Sequence, residues 1–320
     1  MRLWVFAAML GLAFVVAGKL LLGTVEADGP GAADTPYILV LGIAQDAGAP
    51  QAACYRPHCM PGWEDVSLRR LATSLALIDP AGEARYLFEA TPHMPEQLYR
   101  LHRETNDDAF SLNGVFLTHG HMGHYTGLMH FGREVMGASR VPVFAMPRMR
   151  AFLSSNGPWD QLVSLENIEL QAIEDGEVIN LRDGLSVTPF LVPHRDEYTE
   201  TVGYRIDGPN RSAIFIPDID KWERWDKDLA AVIREVDYAF IDASFYEDGE
   251  IPGRAMADIP HPFVVESMAL LDGLTPEERA RVHFIHFNHT NPLLVEGSAA
   301  QEEVRDQGFS IAEEGMRLPL

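Results

Sequence analysis

Three histidines lie within six residues in the stretch Leu117-Thr118-His119-Gly120-His121-Met122-Gly123-His124. The apolar run at 114–117 predicts a short buried strand. Because extended side chains repeat every second residue, His119 and His121 point the same way and can share one metal ion. His124 begins a helix-like segment at 125–136 and turns toward a neighbouring position. Three protein ligands beside an open position typically hold catalytic zinc, and imidazole also suits iron or copper. Exposed or packing histidines on a loop are the alternative.

Later strand-like runs also end at residues that can bind metals. These residues are His194, Asp218, Asp242 and His286. Function concentrates on loops held by a rigid scaffold, so this repetition predicts one site assembled from strand ends. Each residue alone has an ordinary alternative: a solvated loop histidine, a turn former, a cap and a packed core histidine, respectively.

Elsewhere the chain alternates between short apolar runs and turn-rich or helical segments. Strands are predicted at 37–43, 74–78, 85–88, 141–145, 168–172, 178–180, 185–191, 201–206, 212–216, 238–241 and 282–286. Helices are predicted at 94–104, 148–155, 226–235, 263–271 and 298–307. Many short strands with irregularly placed helices predict a mixed α/β or α+β protein built around sheets.

Composition limits the partners. The chain has 320 residues, of which 47% are hydrophobic, and this suits one large domain at 37–320. Lys plus Arg number 25 against 47 Asp plus Glu, which gives a formal net charge of −22. Such a surface repels phosphate backbones, so nucleic acid is excluded as a partner and a small-molecule substrate is expected.

The N-terminus predicts export. Arg2 precedes an apolar run at 3–18, followed by Lys19 and small residues, as in a secretory signal peptide at 1–27. An uncleaved membrane anchor is the rival, and would be the only membrane contact. A linker rich in Gly, Ala and Asp follows at 28–36. The expected location is periplasmic or extracellular.

The chain has two cysteines, Cys54 and Cys59. In an oxidising compartment they can form a disulfide across a small loop. A structural zinc on Cys54, His58 and Cys59 lacks a fourth ligand in the local sequence. Two unpaired packing thiols are the third alternative.

The histidine stretch resembles the His-x-His-x-Asp-His signature of the metallo-β-lactamase fold superfamily, with Gly123 where that signature has aspartate. The resemblance implies a four-layer αββα sandwich with metals at one edge of two sheets. Carried over by motif, it places His119, His121 and His194 in the first metal site and His124 and His286 in the second. Asp218 would bridge the two sites.

Two segments resemble the pyrroloquinoline quinone biosynthesis protein B family within that superfamily. They are Leu-Thr-x-x-x-x-x-His-x-Thr-Gly-Leu at 117–128 and His-Phe-Asn-His-Thr-Asn-Pro at 286–292. That family lacks most of the metal histidines in its first motif, whereas this chain has them, so its chemistry is predicted to be nearer the hydrolytic members.

Three further residues are candidates around the metals. Asp242 resembles an acidic residue of the ribonuclease Z-like branch and would orient a metal-bound histidine. His261, between two prolines, matches a loop histidine of related phosphodiesterases and is the predicted general acid, with a rigid turn as the alternative. His289 could replace His286 as a ligand.

Because Gly123 stands where the signature has aspartate, this chain lacks one carboxylate of that signature. With Asp218 as the only anionic ligand, two divalent cations would be poorly neutralised in a low-dielectric site. Either the second metal binds weakly, or another carboxylate enters the site. Asp46, on the loop after the first strand, is the candidate.

The predicted function is an exported metallo-hydrolase. Zinc, as one or two ions, with iron or manganese as alternatives, would lower the pKa of bound water to about 7 and form hydroxide at neutral pH. Asp218 would orient the hydroxide, which would attack a small ester, lactone, amide or phosphodiester. The alternatives are an iron oxygenase like the quinone-biosynthesis family, and a non-catalytic metal- or ligand-binding protein on the same fold.

Overall fold

The computed structural model of the protein describes residues 34–106, 112–256 and 259–320. The predicted signal or anchor segment and most of the predicted linker lie outside these ranges. Strands within them are β1 (Tyr37–Gly42), β2 (Ser74–Asp79), β3 (Ala84–Phe88), β4 (Gly114–Phe116), β5 (Val141–Ala145), β6 (Ile168–Ala172), β7 (Ile179–Arg182), β8 (Leu185–Leu191), β9 (Val202–Asp207), β10 (Ser212–Ile216), β11 (Tyr238–Asp242), β12 (Val282–Ile285), β13 (Ser310–Ile311) and β14 (Arg317–Pro319).

These strands pair into two mixed seven-stranded sheets. The order is β14-β1-β2-β3-β4-β5-β6 in the first sheet and β13-β12-β11-β10-β9-β8-β7 in the second. Strands β3 to β6 are parallel to one another, and so are β10 to β13. Parallel neighbours have their carboxyl ends at the same edge of a sheet. The residues that follow β3 and β4, and those that follow β10, β11 and β12, are therefore brought side by side.

Side-chain alternation along the strands builds the layers. In β1, Ile38 and Val40 belong to the large apolar cluster shared with the second sheet, whereas Leu39 and Leu41 belong to a cluster on the outer face. This is the period-2 pattern of a strand buried on both faces. Between the sheets, the ring of Tyr204 lies 5.5 Å, centroid to centroid, from both Phe88 and Phe116.

Helices cover the outer faces. They are α1 (Met60–Glu64), α2 (Met94–Thr105), α3 (Met122–Tyr125), α4 (Pro147–Ser155), α5 (Trp159–Ser164), α6 (Leu229–Arg234), α7 (Val264–Leu270), α8 (Pro276–Arg279) and α9 (Ala299–Asp306). Apolar residues of α2 and α4 pack on the first sheet, and those of α6 and α7 pack with the second. The predicted αββα sandwich is confirmed. In the described part of the chain, none of the helices has the length and apolarity needed to cross a bilayer.

Two predicted elements are corrected. The helix-like segment at 125–136 is instead the end of α3 followed by a short 3-10 helix, Thr126–Phe131. The backbone there bonds to the chain after β3, because Ala90 N–H donates to His124 O and Gly127 N–H donates to Ala90 O, both at 2.9 Å. These bonds replace those of a continuing α-helix. The strand predicted at 178–180 lies at Ile179–Arg182.

Candidate metal centre

The ends of strands from both sheets converge on one cluster of imidazoles and carboxylates. His119 and His121 follow β4, His194 follows β8, Asp218 follows β10 and His286 follows β12. All of these except His121 are buried. The fold therefore brings together residues up to 167 positions apart in the sequence, and each is held at the end of a strand whose side chains are locked in the core.

Four donor atoms form the first set. His119 Nε2 lies 2.9 Å from His121 Nδ1, which lies 3.3 Å from His194 Nε2. Asp218 Oδ2 is 3.3 Å from His119 Nε2 and 3.2 Å from His194 Nε2. Four ligands at the zinc–nitrogen distance in a tetrahedron are about 3.3 Å apart. The spacing and chemistry of this set therefore fit a zinc ion.

A second set adjoins the first. Asp46 Oδ1 lies 3.2 Å from His124 Nε2 and 3.5 Å from His286 Nε2. Asp218 Oδ2 is 3.6 Å from His124 Nε2, so this oxygen lies beside both sets. His286 Nε2 is buried and has no hydrogen-bond partner among the described residues. A buried nitrogen facing a carboxylate and a second imidazole in this way fits a second cation.

Hydrogen bonds to the outer ring nitrogens orient the first-set histidines. Thr118 Oγ1 donates to Glu89 and lies 2.9 Å from His119 Nδ1, so it accepts the proton of that nitrogen. His194 Nδ1 lies 3.3 Å from Asp220 Oδ1, and His121 Nε2 lies 3.0 Å from Glu197 Oε2. The tautomers assigned from this network leave His119 Nε2, His121 Nδ1 and His194 Nε2 free to bind a metal.

Carboxylates also lie behind the second-set histidines. His124 Nδ1 lies 3.3 Å from Glu89 Oε1, at the distance of an ion pair. His286 Nδ1 lies 3.0 Å from Ser244 Oγ, which donates to Asp242 Oδ1 at 2.8 Å. Asp242 thus lies behind a candidate metal histidine and is linked to it through Ser244.

Sequence reasoning missed several of these partners. Glu89 directly follows β3, so the strand-end rule could have identified it, and Asp220 lies two residues after Asp218. Glu197 and Ser244 carried no comparable signal. Their roles depend on which loop packs beside which histidine, and only the fold sets this.

Charges in the cluster shift several pKa values. Burial alone disfavours the charged form of His194, but the carboxylates of Asp218 and Asp220 outweigh it and raise its pKa to about 10. For His286, burial is likewise outweighed by Asp242, Asp46 and Asp218, and the pKa rises to about 9. Although burial favours the neutral acid, His194 and His261 hold the pKa of Asp218 well below its usual range. Protons on these histidines therefore compete with a metal.

His261 lies at the same centre. Its Nδ1 is 2.8 Å from Asp242 Oδ2 and 3.2 Å from Asp218 Oδ1. The loop that follows β11 brings it there, and the side chain is buried. The Nδ1 proton is therefore held by Asp242, and Nε2 is the nitrogen left to exchange a proton with a substrate.

Three residues around the centre have left-handed backbone conformations that non-glycine residues rarely adopt. They are Asp46 with φ 25°, Glu89 with φ 81° and His286 with φ 71°. Each follows a strand and contributes a carboxylate or an imidazole to the cluster. Such strain persists where the surrounding structure fixes the conformation, and it is concentrated at functional sites.

His289 does not join the centre, so the suggestion that it could replace His286 is not supported. Its Nδ1 lies 3.4 Å from Cys59 Sγ, and its ring centroid is 5.4 Å from that of His58. His289 thus lies beside Cys54, His58 and Cys59, where the local sequence lacked a fourth side chain. Cys54 and Cys59 form a disulfide, which is one of the three expected alternatives, and in that form their sulfur atoms are not thiolate ligands for zinc.

The fold and the donor sets define a class of protein. Residues 84–287 match the family described as "Beta-lactamase superfamily domain", and the chain belongs to this metallo-β-lactamase superfamily.

Within the superfamily, the chain is similar to coenzyme PQQ synthesis protein B. It is 28% identical over 309 residues to that protein of Methylorubrum extorquens strain PA1. The alignment covers 89% of this chain and 100% of the relative. It is 23% identical to the Gluconobacter oxydans protein, over 88% of this chain and 98% of the relative.

Solved structures give the same relationship. The crystal structure of Zn(2+)-bound PqqB from Methylobacterium extorquens matches with a TM-score of 0.74 at 25% identity, over 89% of this chain and 100% of that one. A diphosphatase from the PhnP family matches with a TM-score of 0.60 at 22% identity, over 89% and 98%, and shares the fold.

Proposed function

We propose that the chain is an exported metal-dependent hydrolase that acts on a small ester, lactone, amide or phosphodiester. The observation that carries the proposal is the pair of adjoining donor sets beside Asp218 Oδ2. In the first set three imidazoles and one carboxylate are spaced for zinc, and in the second two imidazoles face Asp46. Iron and manganese are the other candidate metals.

His119, His121, His194 and Asp218 would hold one ion, and His124, His286, Asp46 and Asp218 the other. When bound, such ions activate water and polarise the bond to be cleaved. Solvent reaches the cluster from the side of Asp46 and Glu197, whose side chains are 49% and 51% exposed. A small substrate would approach from this side, and Glu197 would keep His121 in position at the rim.

His261 is the proposed proton donor to the leaving group. Asp242 accepts a hydrogen bond from its Nδ1, which fixes the orientation of the ring and leaves Nε2 facing the site. Nε2 can then give its proton to the departing atom and recover it from water. Asp242 would thus serve two histidines, His261 directly and His286 through Ser244.

Export is supported by the N-terminal sequence and by the disulfide. Arg2 followed by an apolar run is typical of a secretory signal. The Cys54–Cys59 disulfide is of a kind that persists in oxidising compartments. Cell fractionation with N-terminal sequencing of the mature protein tests both export and cleavage; full-length protein in the cytoplasmic fraction would contradict the proposal.

The decisive experiment combines elemental analysis with a substrate panel. The purified protein should contain zinc and should hydrolyse at least one phosphodiester, lactone or β-lactam substrate. His121→Ala should abolish that hydrolysis while far-UV circular dichroism and the melting temperature report a folded protein. Glu134→Gln, an exposed carboxylate paired with Arg133, is the matched control. Equal hydrolysis by His121→Ala and the parent protein would refute the proposal.

A second candidate is a role like that of the coenzyme PQQ synthesis relatives. The similarity along 89% of this chain and the whole length of the relative favours it. In that case the reaction would be an oxygenation, with iron as the predicted metal, although the PqqB structure holds zinc. The reaction therefore separates the two candidates, because a protein that consumes oxygen and cleaves none of the panel substrates would favour the second.

A further inference from the structure

This chain has Gly123 where the signature that it resembles has aspartate, and Asp46 already fills the space beside that glycine. A Cβ atom built on Gly123 would lie 2.5 Å from Asp46 Cα, 2.6 Å from Asp46 Cβ and 2.8 Å from Asp46 Cγ. Real Cβ atoms do not approach other atoms this closely. A side chain at position 123 would therefore collide with both the backbone and the side chain of Asp46.

The loop that carries Asp46 is tied to the chain beside His286. Gln45 N–H donates to Phe287 O at 2.7 Å, and Phe287 N–H donates to Ile43 O at 2.9 Å. These bonds fix the loop after β1 against the residue that follows His286. The carboxylate of Asp46 is held beside the imidazole by backbone bonds that do not depend on a metal.

We propose that Asp46 is the carboxylate ligand of the second metal, taking over from a different strand the role of the aspartate missing at position 123. Its Oδ1 lies within 3.5 Å of both His124 Nε2 and His286 Nε2, and the latter nitrogen is buried without a partner in the described chain. The Asp46 carboxylate lies between this set of donor atoms and the solvent. Together with Asp218, it supplies the two negative charges that help to neutralise two divalent cations.

This inference rests on the proposed metal-dependent function, but not on any substrate. The test therefore measures zinc alone, by elemental analysis after dialysis and by competition with a chromogenic chelator. The variants are Asp46→Asn and Gly123→Asp. Glu134→Gln is the control carboxylate.

The parent protein and Glu134→Gln should bind two zinc ions. Asp46→Asn should keep the first and bind the second at least ten-fold more weakly. Gly123→Asp should also lose the second ion, because its Cβ would lie 2.5 Å from the Cα of Asp46 and would displace the loop that carries the carboxylate. Unchanged binding of the second ion by Asp46→Asn would overturn the proposal.

Failure of the proposed function has a different signature. If no substrate is cleaved but the zinc stoichiometries follow the pattern above, the hydrolase proposal falls and the role of Asp46 stands. If cleavage is detected and Asp46→Asn binds two zinc ions as tightly as the parent, the role of Asp46 falls and the hydrolase proposal stands.

Discussion

Glu89 should control both metal sites from one position. It is fully buried, and its Oε1 accepts a hydrogen bond from Thr118 and lies 3.3 Å from His124 Nδ1. Thr118 Oγ1 in turn lies 2.9 Å from His119 Nδ1. A single carboxylate thus holds one histidine of each donor set, and the substitution Glu89→Gln should weaken both sites.

The magnitude follows from the contacts. Glutamine has nearly the same shape and can still accept from Thr118, but it is neutral and attracts the ring of His124, whose Nδ1 lies 3.3 Å from Glu89 Oε1, less strongly. Loss of such an outer partner typically lowers metal affinity 10- to 100-fold, or about 1.4 to 2.7 kcal/mol for each site. Thr118→Val is the matched comparison, because it cuts only the link to His119 and should weaken the first site alone.

Zinc titration against a chelator of known affinity resolves the two dissociation constants, and the melting temperature of each metal-free variant checks folding. The reasoning fails if Glu89→Gln leaves both constants within a factor of three of the parent. It also fails if Thr118→Val weakens the site of His124 as much as that of His119.

Three further outcomes are expected. Zinc affinity should rise between pH 6 and pH 9, because His194 and His286, with pKa values of about 10 and 9, must lose protons to bind metal. Calorimetry in buffers of different ionisation enthalpy should detect the released protons. A zinc affinity that does not change with pH would contradict this prediction. Burial lowers the pKa of His283 from 6.5 to about 4, so the unfolded chain binds more protons than the folded chain between these pH values. The free energy of unfolding should therefore fall by about 3 kcal/mol as the pH drops through them. Chemical denaturation at pH 4.5 and 7.5 should show a smaller fall for His283→Phe than for the parent protein, and an equal fall would refute this prediction. Free zinc at 100 times its dissociation constant should stabilise the fold by about 2.7 kcal/mol, and a melting temperature unaffected by chelator would show that the centre is empty in solution.

Much of the fold was predictable because alternation along the strands is local information. The apolar residues of β1 divide between two cores in strict alternation, and the runs of β2, β10 and β12 are equally clear in the sequence. Where prediction was wrong, long-range contacts had replaced local ones. The segment at 125–136 has helix-like composition, but its backbone bonds to Ala90 and so cannot continue as an α-helix.

Candidate ligands were recognisable for the same reason. His119, His121, His194, Asp218 and His286 each follow an apolar run, and a strand fixes the position of the residue at its end. The spacing of His119 and His121 alone predicts that they share a face, and the structure places their facing nitrogens 2.9 Å apart.

The sequence by itself predicted a protein built around sheets and a histidine-rich strand end, and its resemblance to the metallo-β-lactamase signature implied two sheets and a missing carboxylate at position 123. Only the tertiary structure decided what lies in that gap and which way each imidazole faces. The backbone turns at His286, which has a left-handed conformation. His289, only three residues later, therefore lies beside Cys59 and not in the metal centre. Glu89, Glu197 and Asp220 reach the histidines through space, and sequence separation carries no information about such contacts until the sheets have packed.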